Sequence, residues 1–186
     1  MDQALIEESI RNIFKAIGED ANRPGIQETP TRVARMYEEI FSTLETPDFI
    51  NYKLFDTDDS INGEMITVAD IPFYSMCEHH LLPFFGTVSV GYIPKNNKVI
   101  GLSKIPRLVD YATKKPTLQE EVTSTIGNTL MDILDPAGVA VFVKARHMCV
   151  EMRGVKKSNS MTKSSFYRGG FTNIDTQQEF FNTLNN

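Results

Sequence analysis

Cys77-Glu78-His79-His80-Leu81-Leu82-Pro83-Phe84-Phe85-Gly86 is the stretch from which the rest of the chain is read. Its first half is dense in side chains that bind metals or move protons. Its second half opens a run, residues 84–93, that alternates and is rich in aromatic and β-branched residues, the pattern of a half-buried strand. A second short stretch, His147-Met148-Cys149, complements the first. The chain contains 3 His and 2 Cys in 186 residues, and all five lie in these two places. Thiolate and imidazole are ligands that zinc prefers, so the two clusters read first as a metal site.

Cys77 and His80 are three residues apart, a spacing that lets one turn present both to an ion. Residues 139–152 predict a strand whose odd positions Val139, Val141, Val143, Ala145, His147 and Cys149 share one face. Cys149 then reaches the ion from that strand. Ligands Cys77, His80 and Cys149 leave the fourth tetrahedral position open, as in catalytic zinc sites, where a bound water has its pKa lowered to about 7. On spacing alone, His147 is an alternative fourth ligand that would close a Cys2His2 structural site. Two points favour the open site. A closed one leaves His79 without a role, and an open one has two spare imidazoles beside a bound water, with pKa values suited to proton transfer near neutrality. The same turn geometry predicts that His79 faces away from the ion. A zinc nucleobase deaminase would carry Pro-Cys-x-x-Cys, and this chain has no Cys-x-x-Cys.

Outward from the site, the chain reads as alternating helices and strands. Apolar residues at spacings of three and four predict a helix over 3–17, a second from Thr29-Pro30 with Thr29 as its cap, a third over 103–113 with Ser103 as its cap, a long one over 117–134 and a short one around 180–184. Strands are expected at 65–69, 84–93, 139–152 and 164–171. Residues 45–63, with Pro47, Asp56, Asp58, Asp59, Asn62 and Gly63, read as a loop. That loop divides the chain into an N-terminal helical segment, 1–63, and a main domain, 64–186.

Length and 41% hydrophobic content suit one domain with a small appendage. A net charge of −5 argues against nucleic-acid binding through a basic surface. No apolar run approaches the 18 residues of a membrane span, and no secretory signal opens the chain, so a cytoplasmic protein without a structural disulfide is expected. Local basic groups (Arg32 with Arg35, Lys104 with Arg107, Arg153 with Lys156 and Lys157) leave room for a phosphorylated small molecule.

Taken together, Cys77 to Gly86, Thr29-Pro30-Thr31-Arg32-Val33-Ala34-Arg35, Gly101-Leu102-Ser103-Lys104, Gln119-Glu120, and His147-Met148-Cys149 followed by Arg153-Gly154-Val155 resemble GTP cyclohydrolase I, in order and over almost the whole chain. The resemblance implies an α+β tunnelling fold: an antiparallel sheet with helices on one side, preceded by N-terminal helices. It implies hydrolysis and rearrangement of GTP to 7,8-dihydroneopterin triphosphate and formate, the entry step to folate and related pterins. Hydroxide on Zn2+ would attack guanine C8. Cys77, His80 and Cys149 would hold the zinc, with His79 and His147 as the catalytic proton-transfer residues. Gln119 and Glu120 would recognise guanine. Arg32, Arg35, Lys104, Arg107 and Arg153 would hold the triphosphate, with Ser103 near the ribose. Subunits would form a homodecamer of two pentamers with active sites between chains. The family usually shows Arg-x-Gln-Val-Gln-Glu-Arg near the guanine site. Here the stretch is Lys115-Pro116-Thr117-Leu118-Gln119-Glu120-Glu121: Gln119-Glu120 are kept, while Thr117 replaces a Gln and Glu121 a flanking Arg.

Overall fold

A computed structural model describes residues 1–184. The elements run α1 (Gln3–Ala16), α2 (Thr29–Ile40), β1 (Leu54–Asp56), β2 (Ile66–Cys77), β3 (Pro83–Ile93), β4 (Lys98–Ile100), α3 (Lys104–Thr113), β5 (Pro116–Thr117), α4 (Gln119–Leu134), β6 (Gly138–His147), α5 (Met148–Glu151), β7 (Thr162–Gly169) and α6 (Ile174–Leu184). A five-stranded sheet has the order β5-β2-β3-β6-β7. It is antiparallel except where β5 runs beside the end of β2.

Strand periodicity decides which face is buried. In β6, Val139, Val141, Val143 and Ala145 are fully buried, and with Val88, Val90 and Tyr92 of β3 they form one continuous apolar surface. Ile105, Leu108 and Val109 of α3 and Val122, Ile126 and Leu130 of α4 pack in the same core. This is the α+β arrangement that the resemblance implies. The even positions of β6 face the other way. Ala140 is buried there with Phe171 and Phe180, and Phe142 packs against them, so α6 covers one part of the opposite face.

β2 and β3 form a hairpin that is longer than the sequence pattern indicated. The Cys77 stretch starts as the last residue of β2, and residues 66–77 make one strand interrupted by a register shift between Val68 and Ile71. Alternation is lost at that shift, which hides the strand from a period-two reading. The predicted loop 45–63 contains β1, which pairs with β4 and so crosses the division at residue 63. Pro116–Thr117 belongs to the sheet, and the long helix starts at Gln119. Neither Thr29 nor Ser103 acts as a cap through its side chain: Glu28 occupies the cap position of α2, and Ser103 makes no capping hydrogen bond.

Gly86 sets the distance between β3 and β6. A Cβ built there would lie 1.9 Å from the carbonyl oxygen of Lys144, a backbone atom that cannot rotate away. The same ladder pairs Phe84 with His147. Gly86→Ala is therefore expected to destabilise the protein by about 1–3 kcal/mol through overpacking. Urea denaturation measures this, and a midpoint unchanged from wild type would show that the strands can separate at no cost.

Candidate metal centre and its surroundings

The site lies at one end of the sheet, where β2, β3, β5 and β6 terminate. Cys77 closes β2 and is buried. Its N–H donates to Leu82 O at 2.9 Å, and its carbonyl accepts from Leu81 N–H at 2.8 Å and His80 N–H at 3.3 Å. Leu81 adopts a left-handed backbone, φ 50°, which a tight reversal requires and a leucine rarely takes. This turn carries His80 back over Cys77.

Cys149 arrives by a different route from the one the alternation predicts. Strand β6 ends at His147, and Cys149 sits on the single helical turn α5. A salt bridge braces that turn: Arg146 donates from Nε to Glu151 Oε1 at 2.8 Å and from Nη2 to Oε2 at 2.6 Å. Glu151 is buried, and the bonded guanidinium holds its carboxyl below the usual carboxylate range. The bridge joins the strand end to the turn across His147 and Cys149, so the sequence positions between its two ends are fixed together.

The result is convergence. One ligand atom each from Cys77, His80 and Cys149 lies within 4.8 Å of the others. Two sulfurs and an imidazole nitrogen at that separation suit a tetrahedral ion with about 2.3 Å bonds to sulfur and about 2.0 Å to nitrogen. These three residues can hold a metal. His147 is not in the group; its Nε2 lies 2.8 Å from Gln119 Oε1. The converging group thus consists of three side chains, Cys77, His80 and Cys149, with His147 outside it. Burial and the neighbouring Cys77 raise the Cys149 thiol pKa. A bound cation reverses that tendency, because metal coordination deprotonates a thiol.

Arg153 Nη1 is 2.7 Å from His80 Nε2. A guanidinium only donates, so Nε2 accepts here and its lone pair is engaged by Arg153. His79 lies outside the converging group. Its Nδ1 lies 3.9 Å from Cys77 Sγ, because the tight turn folds the whole segment over the sulfur. His79 is exposed, with Glu78 3.9 Å from its other nitrogen. His147 is half-buried and stacked on Phe84, ring centroids 4.8 Å apart and planes 3° from parallel. Burial lowers its pKa, opposed in part by the charge of Glu120.

The family model for GTP cyclohydrolase I matches residues 6–185. The chain belongs to the GTP cyclohydrolase I family. A protein named GTP cyclohydrolase 1 from Lactiplantibacillus plantarum is 55% identical over 184 residues, which are 98% of this chain and 96% of that one. The bifunctional protein FolKE of Lactococcus lactis is 56% identical over 180 residues, 96% of this chain but 52% of that longer protein. Among solved structures, the archaeosine synthase QueF-Like in its apo form aligns over 57% of this chain and 94% of its own, at 20% identity and a TM-score of 0.45.

Within this member of the GTP cyclohydrolase I family, the expected substrate residues divide into two sets. Glu120 and Arg153 are exposed beside the metal group and its histidines. Gln119 is also there, but its side chain is 1% exposed and its amide is turned inward. Arg32, Arg35, Ser103 and Arg107 are exposed elsewhere and Lys104 is half-buried. Arg32 pairs with Glu28 at 2.6 Å, and Lys104 donates to Asn51 Oδ1 at 3.0 Å. Arg107 lines a cavity of about 390 Å³ with Asp48, Tyr111 and Lys114. Among the described residues no hydrogen bond or ion pair joins these five to the metal group.

Thr117 and Glu121, two of the positions that depart from the family pattern, are partners: Thr117 Oγ1 donates to Glu121 Oε2 at 3.0 Å. The hydroxyl of a buried threonine thus satisfies the carboxylate that stands in place of an arginine. Phe84, Ser164 and the Arg146–Glu151 pair are contributors that the motifs did not reveal. Strand alternation marks Phe84 as inward-facing, but nothing local marks it as the platform for His147.

Proposed function

We propose that this protein converts GTP and water to 7,8-dihydroneopterin triphosphate and formate, with zinc held by Cys77, His80 and Cys149. The observation that carries the reading is the converging Cys–His–Cys group with His147, His79 and Glu120 around it, in a chain of this family. A zinc ion there, when bound, supplies Lewis acidity and lowers the pKa of water toward neutrality.

The chain's own residues bind, orient and move protons. Glu120 accepts from the N1–H and 2-amino edge of guanine, where a carboxylate forms two charge-assisted hydrogen bonds. His147, whose pKa burial lowers, and His79, exposed beside Cys77, exchange protons with the purine nitrogens as the imidazole ring is hydrolysed at C8. A second hydrolysis at that carbon releases formate. The ribose rearranges in the Amadori manner, and closure onto the freed amine expels one water, so two waters enter and one leaves. Arg153, Lys104, Arg107, Arg32 and Arg35 neutralise the triphosphate, and Ser103, whose hydroxyl makes no cap, contacts the ribose end.

Several of these groups lie away from the metal within one chain, which supports sites completed by neighbouring chains. The outer edge of β7 and that of β2 before Met76 have no strand partner among the described residues. Open edges of this kind invite pairing, and closure into pentameric rings, two to a decamer, removes them. Among the described residues no helix is long and apolar enough to cross a membrane. Both cysteines are free thiols, as a cytoplasmic setting allows.

The test is direct. Zinc-loaded protein given GTP is expected to release formate and a product that becomes a fluorescent pterin on oxidation, with one zinc per chain. Zinc-loaded protein that releases no formate from GTP rules the reaction out. Glu120→Ala is expected to raise KM for GTP about tenfold to a hundredfold, the worth of hydrogen bonds to a charged group. With inosine triphosphate, which lacks the 2-amino group, the penalty should shrink; equal penalties for both nucleotides would remove Glu120 from the guanine edge.

A further inference from the structure

Gln119 matches a guanine-recognition position by sequence, yet its side chain is committed inside the protein. It leaves the first turn of α4 and crosses to the β6–β7 ladder. There Nε2 donates to Val143 O at 3.2 Å, Thr162 O at 3.2 Å and Ser164 Oγ at 3.0 Å. Two of these partners are main-chain carbonyls, which only accept. The amide therefore has one permitted orientation. Turned over, it would set Oε1 against two other oxygens with no proton between them.

The hydroxyls nearby agree with that orientation. Thr123 Oγ1 donates to Gln119 O at 2.8 Å and is 2.6 Å from Ser164 Oγ. Thr123 has spent its one proton on the carbonyl, so Ser164 donates to Thr123. Ser164 is then left to accept from Gln119. The polarity of the whole network is consistent only with the amide nitrogen inward and Oε1 outward.

Oε1 faces His147 Nε2 at 2.8 Å. An amide oxygen only accepts, so Nε2 carries the proton. When the ring holds a single proton, that proton is on Nε2 and Nδ1 keeps its lone pair. No described residue is hydrogen-bonded to Nδ1. The stack on Phe84 fixes the plane of the ring but does not distinguish one nitrogen from the other. The hydrogen bond alone makes that choice.

We propose that Gln119 is a positioning residue for His147 and does not touch guanine: it holds the imidazole as the Nε2–H tautomer and leaves Nδ1 as the atom that exchanges protons with substrate. When Nδ1 takes a proton, the imidazolium still donates from Nε2 to Gln119, and the same Nδ1 proton is the one returned. The ring does not reorient during turnover. This inference rests on the proposed reaction for the role of Nδ1, but the tautomer itself can be read without any reaction.

With only 3 His in the chain, 15N-histidine labelling of the full zinc-loaded protein gives a simple spectrum, and His147→Asn identifies the His147 signals. The expected result is a protonated Nε2 and an unprotonated Nδ1 for His147 in the wild-type protein. Gln119→Met, similar in size and without the acceptor, should show mixed tautomers, a kcat lower by about 10–100-fold and a KM for GTP within about twofold of wild type. A wild-type His147 protonated at Nδ1 overturns the inference. So does a Gln119→Met protein with wild-type kcat, or one whose KM rises while kcat holds, which would return Gln119 to the guanine. If Gln119→Met does not fold, the wild-type spectrum still decides. If the wild-type protein releases no formate, the proposed reaction fails while the tautomer result stands.

Discussion

Cys149→Ala is expected to abolish both metal binding and turnover while leaving the protein folded. Two donors cannot hold a zinc ion as three do. A Lewis acid contributes several kcal/mol to stabilising developing charge, so the loss corresponds to a fall in kcat of about a thousandfold or more. The fold survives because Cys149 sits on α5, outside the sheet, on a turn held by Arg146 and Glu151. Cys149 is only partly buried and packs against the margin of the core of β3, β6, α3 and α4, whose members are otherwise mutually packed. The measurements are zinc content by atomic absorption, formate release and circular dichroism. A Cys149→Ala protein that keeps one zinc per chain would show that other residues form the site.

His147→Ala is the second large effect, and its sign on metal content is opposite. Zinc should remain at one per chain, because His147 is not in the converging donor group and its Nε2 is engaged by Gln119. Turnover should fall by about 10²–10⁴-fold, the range for removing a positioned general acid or base. KM for GTP should change little. If the substitution instead releases zinc, the site is a closed Cys2His2 centre and the catalytic reading fails. A control is needed for stability, since the substitution also removes the ring stacked on Phe84 and leaves the Gln119 oxygen without a donor.

The two substitutions separate roles that lie two residues apart in sequence. Strand alternation predicts that His147 and Cys149 point the same way, and the strand does keep its period through His147. It then breaks into a helical turn. The Arg146–Glu151 bridge spans this break. Such a pair, five residues apart with both partners among other charges, cannot be distinguished in the sequence from two solvated side chains. Burial of Glu151 makes the difference, because a carboxylate removed from water must be paired.

Much of the rest was legible. The helices α1 to α4, the strand 84–93 and the buried odd face of β6 follow from periods of 3.6 and 2. The pairing of β1 with β4 and the extension of β2 to Cys77 did not, since one is three residues long and the other contains a register shift that cancels the alternation. The setting of the Gln119 side chain is not legible for a similar reason. Its position in a motif places it beside the guanine site, but the three acceptors of its amide lie 24, 43 and 45 residues away.

What the sequence by itself determined is the chemistry available: which five side chains are able to bind metal or move protons, which family the chain resembles, and which faces of the strands are apolar. These follow from residue type and from local periods, both of which are present in a linear chain. What only the tertiary structure decided is how the available chemistry is divided. It brought Cys77, His80 and Cys149 together, kept His147 out of the metal group, and oriented the Gln119 amide toward it. Hydrogen-bond polarity between distant segments leaves no periodic trace, because it depends on which atoms meet after folding.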